Sequence, residues 1–179
     1  MTIPHIDIHA AGRLLLLVAI PVAGLWYAEL RRSEGDLPAG VRVPDISTLH
    51  LSGPVISPGP TAHPTFIVAF TATCPFCREE LARCADLAIR YHGRIDVRAV
   101  SFSDRRTTSD LLGDSARPFT VESIANPEAR HVWKISRVPT MMLTDIRGIL
   151  VARWTGVKSP DEEMELLDRA SVNIAGHNR

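Results

Sequence analysis

The chain has 179 residues and a mass of 19.7 kDa, room for one ordinary domain and an appendage rather than two full domains. A hydrophobic share of 45% and a charged share of 22% exclude a mostly disordered chain. Twenty basic and twenty acidic residues cancel, which removes the electrostatic excess that nucleic-acid binding draws on, and three cysteines are too few for a disulfide-built scaffold.

Leu14 to Ala28 (LLLLVAIPVAGLWYA) carries no formal charge and is bounded by Arg13 and by Glu29, Arg31 and Arg32. At 1.5 Å per residue the run reaches only about 23 Å, short of a hydrocarbon core of about 30 Å. Including Ala10, Ala11 and Leu30, with Arg13 reaching to the headgroups, brings the span near the required length, and Trp26 and Tyr27 lie where an interfacial aromatic belt belongs. Residues 1–30 are therefore read as a membrane anchor or a signal segment. A cleaved signal suits the length but lacks a clean small-x-small site, and a buried soluble helix would need cover on every side. Arg31 and Arg32 against Arg13 favour, by charge counting alone, a cytoplasmic C-terminal side.

Residues 31–64 hold six of the thirteen prolines and are read as a Pro/Gly-rich tether partly docked on the domain, with a short edge strand at Thr48–Leu51. The organised domain spans 65–175. Thr65 to Phe70 (TFIVAF) predicts a strand buried on both faces. From Arg78 to His92, Leu81, Cys84, Ala88 and Tyr91 recur at helical spacing, and Gly93 ends the helix. Ile95 to Phe102 alternates as a strand. Between Arg105 and Glu122 the pattern offers only a helix near Ser109–Leu112. Asn126 and Pro127 open a short helix through Lys134. Thr140–Thr144 and Ile149–Trp154 form a hairpin about Asp145–Gly148, and the capping box Ser159-Pro160-Asp161-Glu162 starts the last helix, to about Val172. This order implies an α/β fold, a mixed central sheet flanked by helices.

Where the first strand gives way to a helix stands Cys74-Pro75-Phe76-Cys77. A cysteine at a helix N-terminus faces unsatisfied N–H groups and the positive end of the dipole, which favour thiolate. The second sulfur, one turn on, is placed to attack a mixed disulfide formed by the first. Cys74 is thus the exposed nucleophile and Cys77 the shielded resolving thiol. A structural zinc site would need two more ligands, and Cys84, His92 and His131 form no paired motif. A peroxidase frame is only partly met by Thr71-Ala72-Thr73-Cys74.

A strand ending FTAT, then CPFC, a helix, and Arg137-Val138-Pro139-Thr140 leading into a strand resemble the thioredoxin superfamily. The apolar N-terminal segment, Val43-Pro44-Asp45 and Asp145-Ile146-Arg147-Gly148 look like the membrane-tethered TlpA-like and ResA-like thiol-disulfide reductases, over about residues 43–172. The resemblance implies a cis-proline at Pro139, packed against the dithiol, with the backbone of Val138 offering strand-like hydrogen bonds to a client chain. It implies no cofactor, protein thiol and disulfide clients, an upstream membrane dithiol donor, and a single-pass protein of the bacterial inner membrane with its catalytic domain in the periplasm. The reductases so resembled serve cytochrome c maturation. Thr-Cys-Pro-x-Cys after a membrane segment also resembles the MauD-like accessory proteins, which are associated with disulfide formation in a periplasmic dehydrogenase. A non-catalytic metal- or client-holding module is the alternative from another class.

Departures from the pattern are specific. Thr73 stands where the family usually has tryptophan, Pro75 follows the first cysteine instead of preceding the second, and Val68 replaces the buried aspartate of thioredoxins. Glu80 matches an acid that ResA-like proteins carry three residues after the second cysteine, a candidate proton acceptor for Cys77; the alternative is a solvated first-turn glutamate. Cys84, two turns beyond Cys77, reads as a small buried hydrophobe.

Overall fold

The computed structural model describes residues 37–46, 48–52, 61–124 and 128–175. The anchor segment and the Asn126-Pro127 helix start lie outside the described residues. Among the described residues no helix is long and apolar enough to cross a membrane.

Six strands form one sheet: β1 (Thr48–Ser52), β2 (Thr65–Phe70), β3 (Asp96–Ser101), β4 (Thr120–Ile124), β5 (Thr140–Thr144) and β6 (Leu150–Thr155), in the order β1-β4-β3-β2-β5-β6. β2, β3 and β4 run parallel, while β5, β6 and β1 are antiparallel to their neighbours. Parallel neighbours need crossovers. Helix α1 (Pro75–Arg90) supplies the first, between β2 and β3, and α2 (Arg105–Leu112) the second, between β3 and β4. A single turn, α3 (Ala129–Val132), precedes β5, and α4 (Pro160–Ala175) closes the chain.

The period of two along β2 sorts its side chains between two cores. Phe66, Val68 and Phe70 pack with Val97, Ala99, Val121, Met141 and Leu143 against Cys77, Leu81, Cys84 and Ala88 of α1, Tyr91 at its C-terminal cap and Leu167 of α4. Ile67 and Ala69 face the other way, with Val100 and Met142, onto Trp133, Ile135, Val43 and Leu150. All six β2 residues are buried, as a continuous apolar run between two covering layers requires.

The residues before β1 are built into this second layer. Gly40 N–H donates to Leu150 O (2.8 Å), Leu150 N–H to Val41 O (2.8 Å) and Val43 N–H to Gly148 O (2.9 Å). The Trp133 indole N–H donates to Pro44 O at 2.7 Å. Trp133→Phe removes that donor and shrinks a fully buried indole to a phenyl ring, leaving the Pro44 carbonyl without its partner and a void in the core. A loss of about 2–4 kcal/mol is expected from the bond and the void together, read as a lowered denaturant midpoint at unchanged slope.

Two elements differ from the sequence expectation. Helix α2 begins at Arg105, four residues before the predicted turn, because Asp104 caps it, accepting from Thr107 N–H at 2.9 Å. β4 was not expected at all. Its residues TVESI are mostly polar, yet Thr120 to Ser123 are buried, and Glu122 is neutralised by Arg98 of β3 (Nε to Oε2, 2.9 Å). A buried ion pair defeats a hydrophobicity pattern. The hairpin turn forms as predicted, with Asp145 Oδ1 accepting from Arg147 N–H (2.8 Å) and Ile149 N–H (2.9 Å) and Gly148 at φ +76°. The capping box forms too, with Ser159 N–H donating to Glu162 Oε2 and Glu162 N–H to Ser159 Oγ.

Candidate active site

The dithiol sits at the C-terminal end of β2, where the chain turns out of the sheet into α1. Cys74 is extended (φ −84°, ψ 117°) and is the N-cap of the helix, with Pro75 inside its first turn. Proline has no N–H to lose there, and its fixed φ suits the helix. Cys77 N–H, one of the orphan donors of the helix start, points at Cys74 Sγ (3.3 Å). Such a bond strengthens when the acceptor carries negative charge.

The turn before Cys74 is held from the neighbouring crossover. Thr108 and Ser101 share a hydroxyl bond (2.7 Å), Ser101 Oγ accepts from Ser103 N–H (3.1 Å), and Ser103 Oγ accepts from Ala72 N–H (2.9 Å). Cys74 N–H then closes the turn on Thr71 O at 3.2 Å. The loop before β5 arrives from the other side. The Val138–Pro139 peptide bond is cis, and Cys74 Sγ lies 3.9 Å from Val138 O. Val138 is half-buried and touches both cores, while Pro139 is buried. The structure thus brings Cys74, Cys77, Pro75, Val138 and Pro139 into one corner of the fold.

The two sulfurs are in unlike surroundings. Cys74 is partly exposed; Cys77 is 0% exposed. Burial first, then the hydrogen bond with Cys74, pushes the Cys77 thiol up to about 12. At neutral pH Cys77 therefore keeps its proton and is shielded from a client, while Cys74 is reachable. Phe76 between them is 61% exposed, a large apolar side chain presented beside the reachable sulfur.

Glu80 is not the solvated first-turn glutamate that its position on the helix allows. It is 0% exposed, because the face of α1 that carries Cys77, Leu81 and Cys84 turns toward the sheet and takes Glu80 with it. Burial raises its carboxyl above the ordinary range, against the pull of Arg83. Arg83 Nη1 donates to Glu80 Oε2 at 3.1 Å, and its Nη2 donates to Glu163 Oε2 of α4. Neither Arg83 nor Glu163 stands out in the sequence. Glu163 sits in an acidic first turn (Asp161, Glu162, Glu163) that reads as solvated, and only its four-residue spacing from buried Leu167 signals an inward face. Cys84 is buried in the α1 core. His92 and His131 are exposed, and no group of three metal-ligating side chains is found among the described residues.

Neither a family model nor a curated protein matches the chain. Solved structures do resemble it. A Chlorobium tepidum protein assigned as the thiol:disulfide interchange protein DsbE is 20% identical, with a TM-score of 0.60, over 76% of this chain and 99% of that one. The thioredoxin domain of a thiol-disulfide oxidoreductase from Bacteroides vulgatus is 16% identical, with a TM-score of 0.57, over 75% and 98%. A thiol-disulfide isomerase from Corynebacterium glutamicum is 13% identical, with a TM-score of 0.57, over 72% and 94%. The mixed sheet, its two crossovers and the cis Val138–Pro139 bond beside a dithiol at a helix start together make this a chain of the thioredoxin-like fold.

Proposed function

We propose that the protein exchanges disulfides with protein clients through Cys74 and Cys77, as a reductase of the kind that serves cytochrome c maturation. It works on the periplasmic face of a bacterial inner membrane, held there through residues 10–30 and re-reduced by a membrane dithiol donor. The observation that carries the exchange reading is the unlike pair itself. One sulfur is reachable and faces a helix-start N–H at 3.3 Å, and the other is buried and protonated one turn behind. The tether, compartment and donor rest on the apolar run 14–28 and on the resemblance to membrane-tethered reductases. No cofactor is needed, since both electrons reside in the thiols.

The chemistry balances in two steps. Cys74 Sγ, as thiolate, attacks a client disulfide; one S–S bond forms, the client S–S bond breaks, and the leaving sulfur takes a proton from solvent. Cys77 then gives up its proton, with Glu80 as the acceptor, and its sulfur attacks Cys74 Sγ. The Cys74–client bond breaks with the electron pair leaving on the second client sulfur, so the client is reduced by two electrons and the enzyme pair is oxidised. During both steps the client backbone lies along Val138, next to buried Pro139, and exposed Phe76 offers it apolar contact.

The full-length protein, supplied with a small dithiol, is expected to reduce the disulfides of insulin catalytically, and Cys74→Ser to abolish that activity. Stoichiometric client or metal binding without turnover would make the protein a holder instead. The reduction potential of the pair fixes the direction. A value near about −270 mV is expected for a reductase; one near about −120 mV would transfer the protein to disulfide formation, the MauD-like alternative.

A further inference from the structure

Behind the dithiol, one guanidinium serves two buried carboxylates from different helices. Glu80 follows Cys77 by one turn of α1, and Glu163 is in the first turn of α4; both are essentially without solvent contact. Arg83 bonds Glu80 Oε2 and Glu163 Oε2 and also donates to Lys158 O at 3.2 Å. The second oxygen of each acid, Glu80 Oε1 and Glu163 Oε1, is buried and meets no hydrogen-bond partner.

Two ionised carboxylates against one cation would leave an uncompensated negative charge in the interior. They would also leave two acceptor oxygens that no donor reaches. Both conditions are costly away from water. A single proton removes the excess charge. The other charged or titratable groups that act on the pair do not replace that proton. Cys77 and Cys84 of α1 are buried thiols, and Lys158, in the loop before α4, lowers the Glu163 carboxyl by less than burial and Glu80 raise it. Burial and then Glu80 push the Glu163 carboxyl up to about 7, outweighing Arg83 and Lys158.

Resting on the exchange reaction proposed above, we infer that Glu80 and Glu163 hold one resident proton between them, which lets Glu163 keep Glu80 available as the ionised acceptor for the proton of Cys77. Glu163 is then a positioning residue. It touches neither sulfur in the reaction and acts by deciding which of two equivalent carboxylates is empty. In the resolving step the Cys77 S–H bond breaks, the proton moves to Glu80, and the Cys77–Cys74 bond forms as the Cys74–client bond breaks. The new carboxylic acid and the retained one then face Arg83 alone, which balances the thiolate while it exists.

The test uses the full-length protein with Cys74 loaded as its mixed disulfide with 5-thio-2-nitrobenzoate, whose release reports attack by Cys77 alone. Side-chain carboxyl NMR of the unloaded protein supplies the second readout. In the wild type the two acids are expected to titrate in two linked steps, one of them near pH 7, and the release rate to bend at the same pH. Cys77, at about 12, adds no bend there. In Glu163→Gln the two linked steps should collapse to one, and the release profile should lose its bend near pH 7, whereas Glu80→Gln should slow release tenfold or more at every pH. Independent, unshifted titration of both acids in the wild type overturns the inference and needs no variant to fold. A bend that persists in Glu163→Gln overturns it as well, with the exchange reading intact. No release from the wild type would instead bring down the exchange reading.

Discussion

Cys77→Ser is expected to turn the protein from a catalyst into a trap. In the wild type the second sulfur is already oriented, one helical turn behind Cys74 and inside the same cap, with Cys77 N–H on Cys74 Sγ at 3.3 Å. Well-oriented intramolecular groups reach effective concentrations of about 10⁵ M or more. A thiol in solution at millimolar concentration has to replace that when Cys77 is gone, so release of the client should slow by at least about a thousandfold. The first step is untouched, because Cys74 keeps its exposure and its place at the helix start. Clients should therefore accumulate on Cys74 as mixed disulfides, visible as added mass on non-reducing gels and lost on reduction. Mass spectrometry of the adducts names the clients and tests the assignment to cytochrome c maturation directly. Turnover by Cys77→Ser at the wild-type rate, without added thiol, would show that the pair does not work as nucleophile and resolver.

Why the pair was legible and its surroundings were not follows from sequence distance. CPFC is contiguous, and strand-then-helix context comes from TFIVAF on one side and the spacing of Leu81, Cys84, Ala88 and Tyr91 on the other. Pro139 is 62 positions from Cys77, and its link to the dithiol came from a resemblance, not from periodicity. β4 was invisible because its Thr120, Glu122 and Ser123 are buried although polar, Glu122 through its pairing with Arg98 of the adjacent strand, and a hydrophobicity scale sees only their polarity. Glu163 was hidden for the same reason. Its burial is decided by Arg83, 80 positions earlier, whose three-residue spacing from Glu80 reads equally well as a surface pair. Polar residues whose partners are remote are what a single sequence conceals.

Arg83→Met is expected to be among the most destabilising single changes outside the apolar core. Arg83 is 22% exposed, so its stem is packed while its head serves two acids that are 0% and 1% exposed. Methionine keeps most of the packing and removes the charge, leaving Glu80 and Glu163 as buried carboxyls without the guanidinium they share. Removing one partner of a buried ion pair costs about 3–5 kcal/mol, and a loss of that order is expected at pH 8. The cost should shrink as pH falls, and the sign follows from proton counts. The native wild type already holds the Glu163 carboxyl at about 7, above its ordinary value of 4.5, so between those values the folded state binds more protons than the unfolded one and wild-type stability declines as pH rises. Without Arg83 both acids hold their protons to still higher pH. Variant and wild type thus differ most where the wild-type acids are ionised and the variant must either bury bare carboxylates or keep protons that solution no longer favours. Near pH 5 Glu163 is protonated in both proteins, and its share of the cost is gone. Denaturant titrations at pH 5 and pH 8 should show a gap between the two proteins at least twice as large at the higher pH. An equal gap at both would mean that Arg83 stabilises the fold by packing rather than by charge, and that the acids behind the dithiol do not titrate in this range.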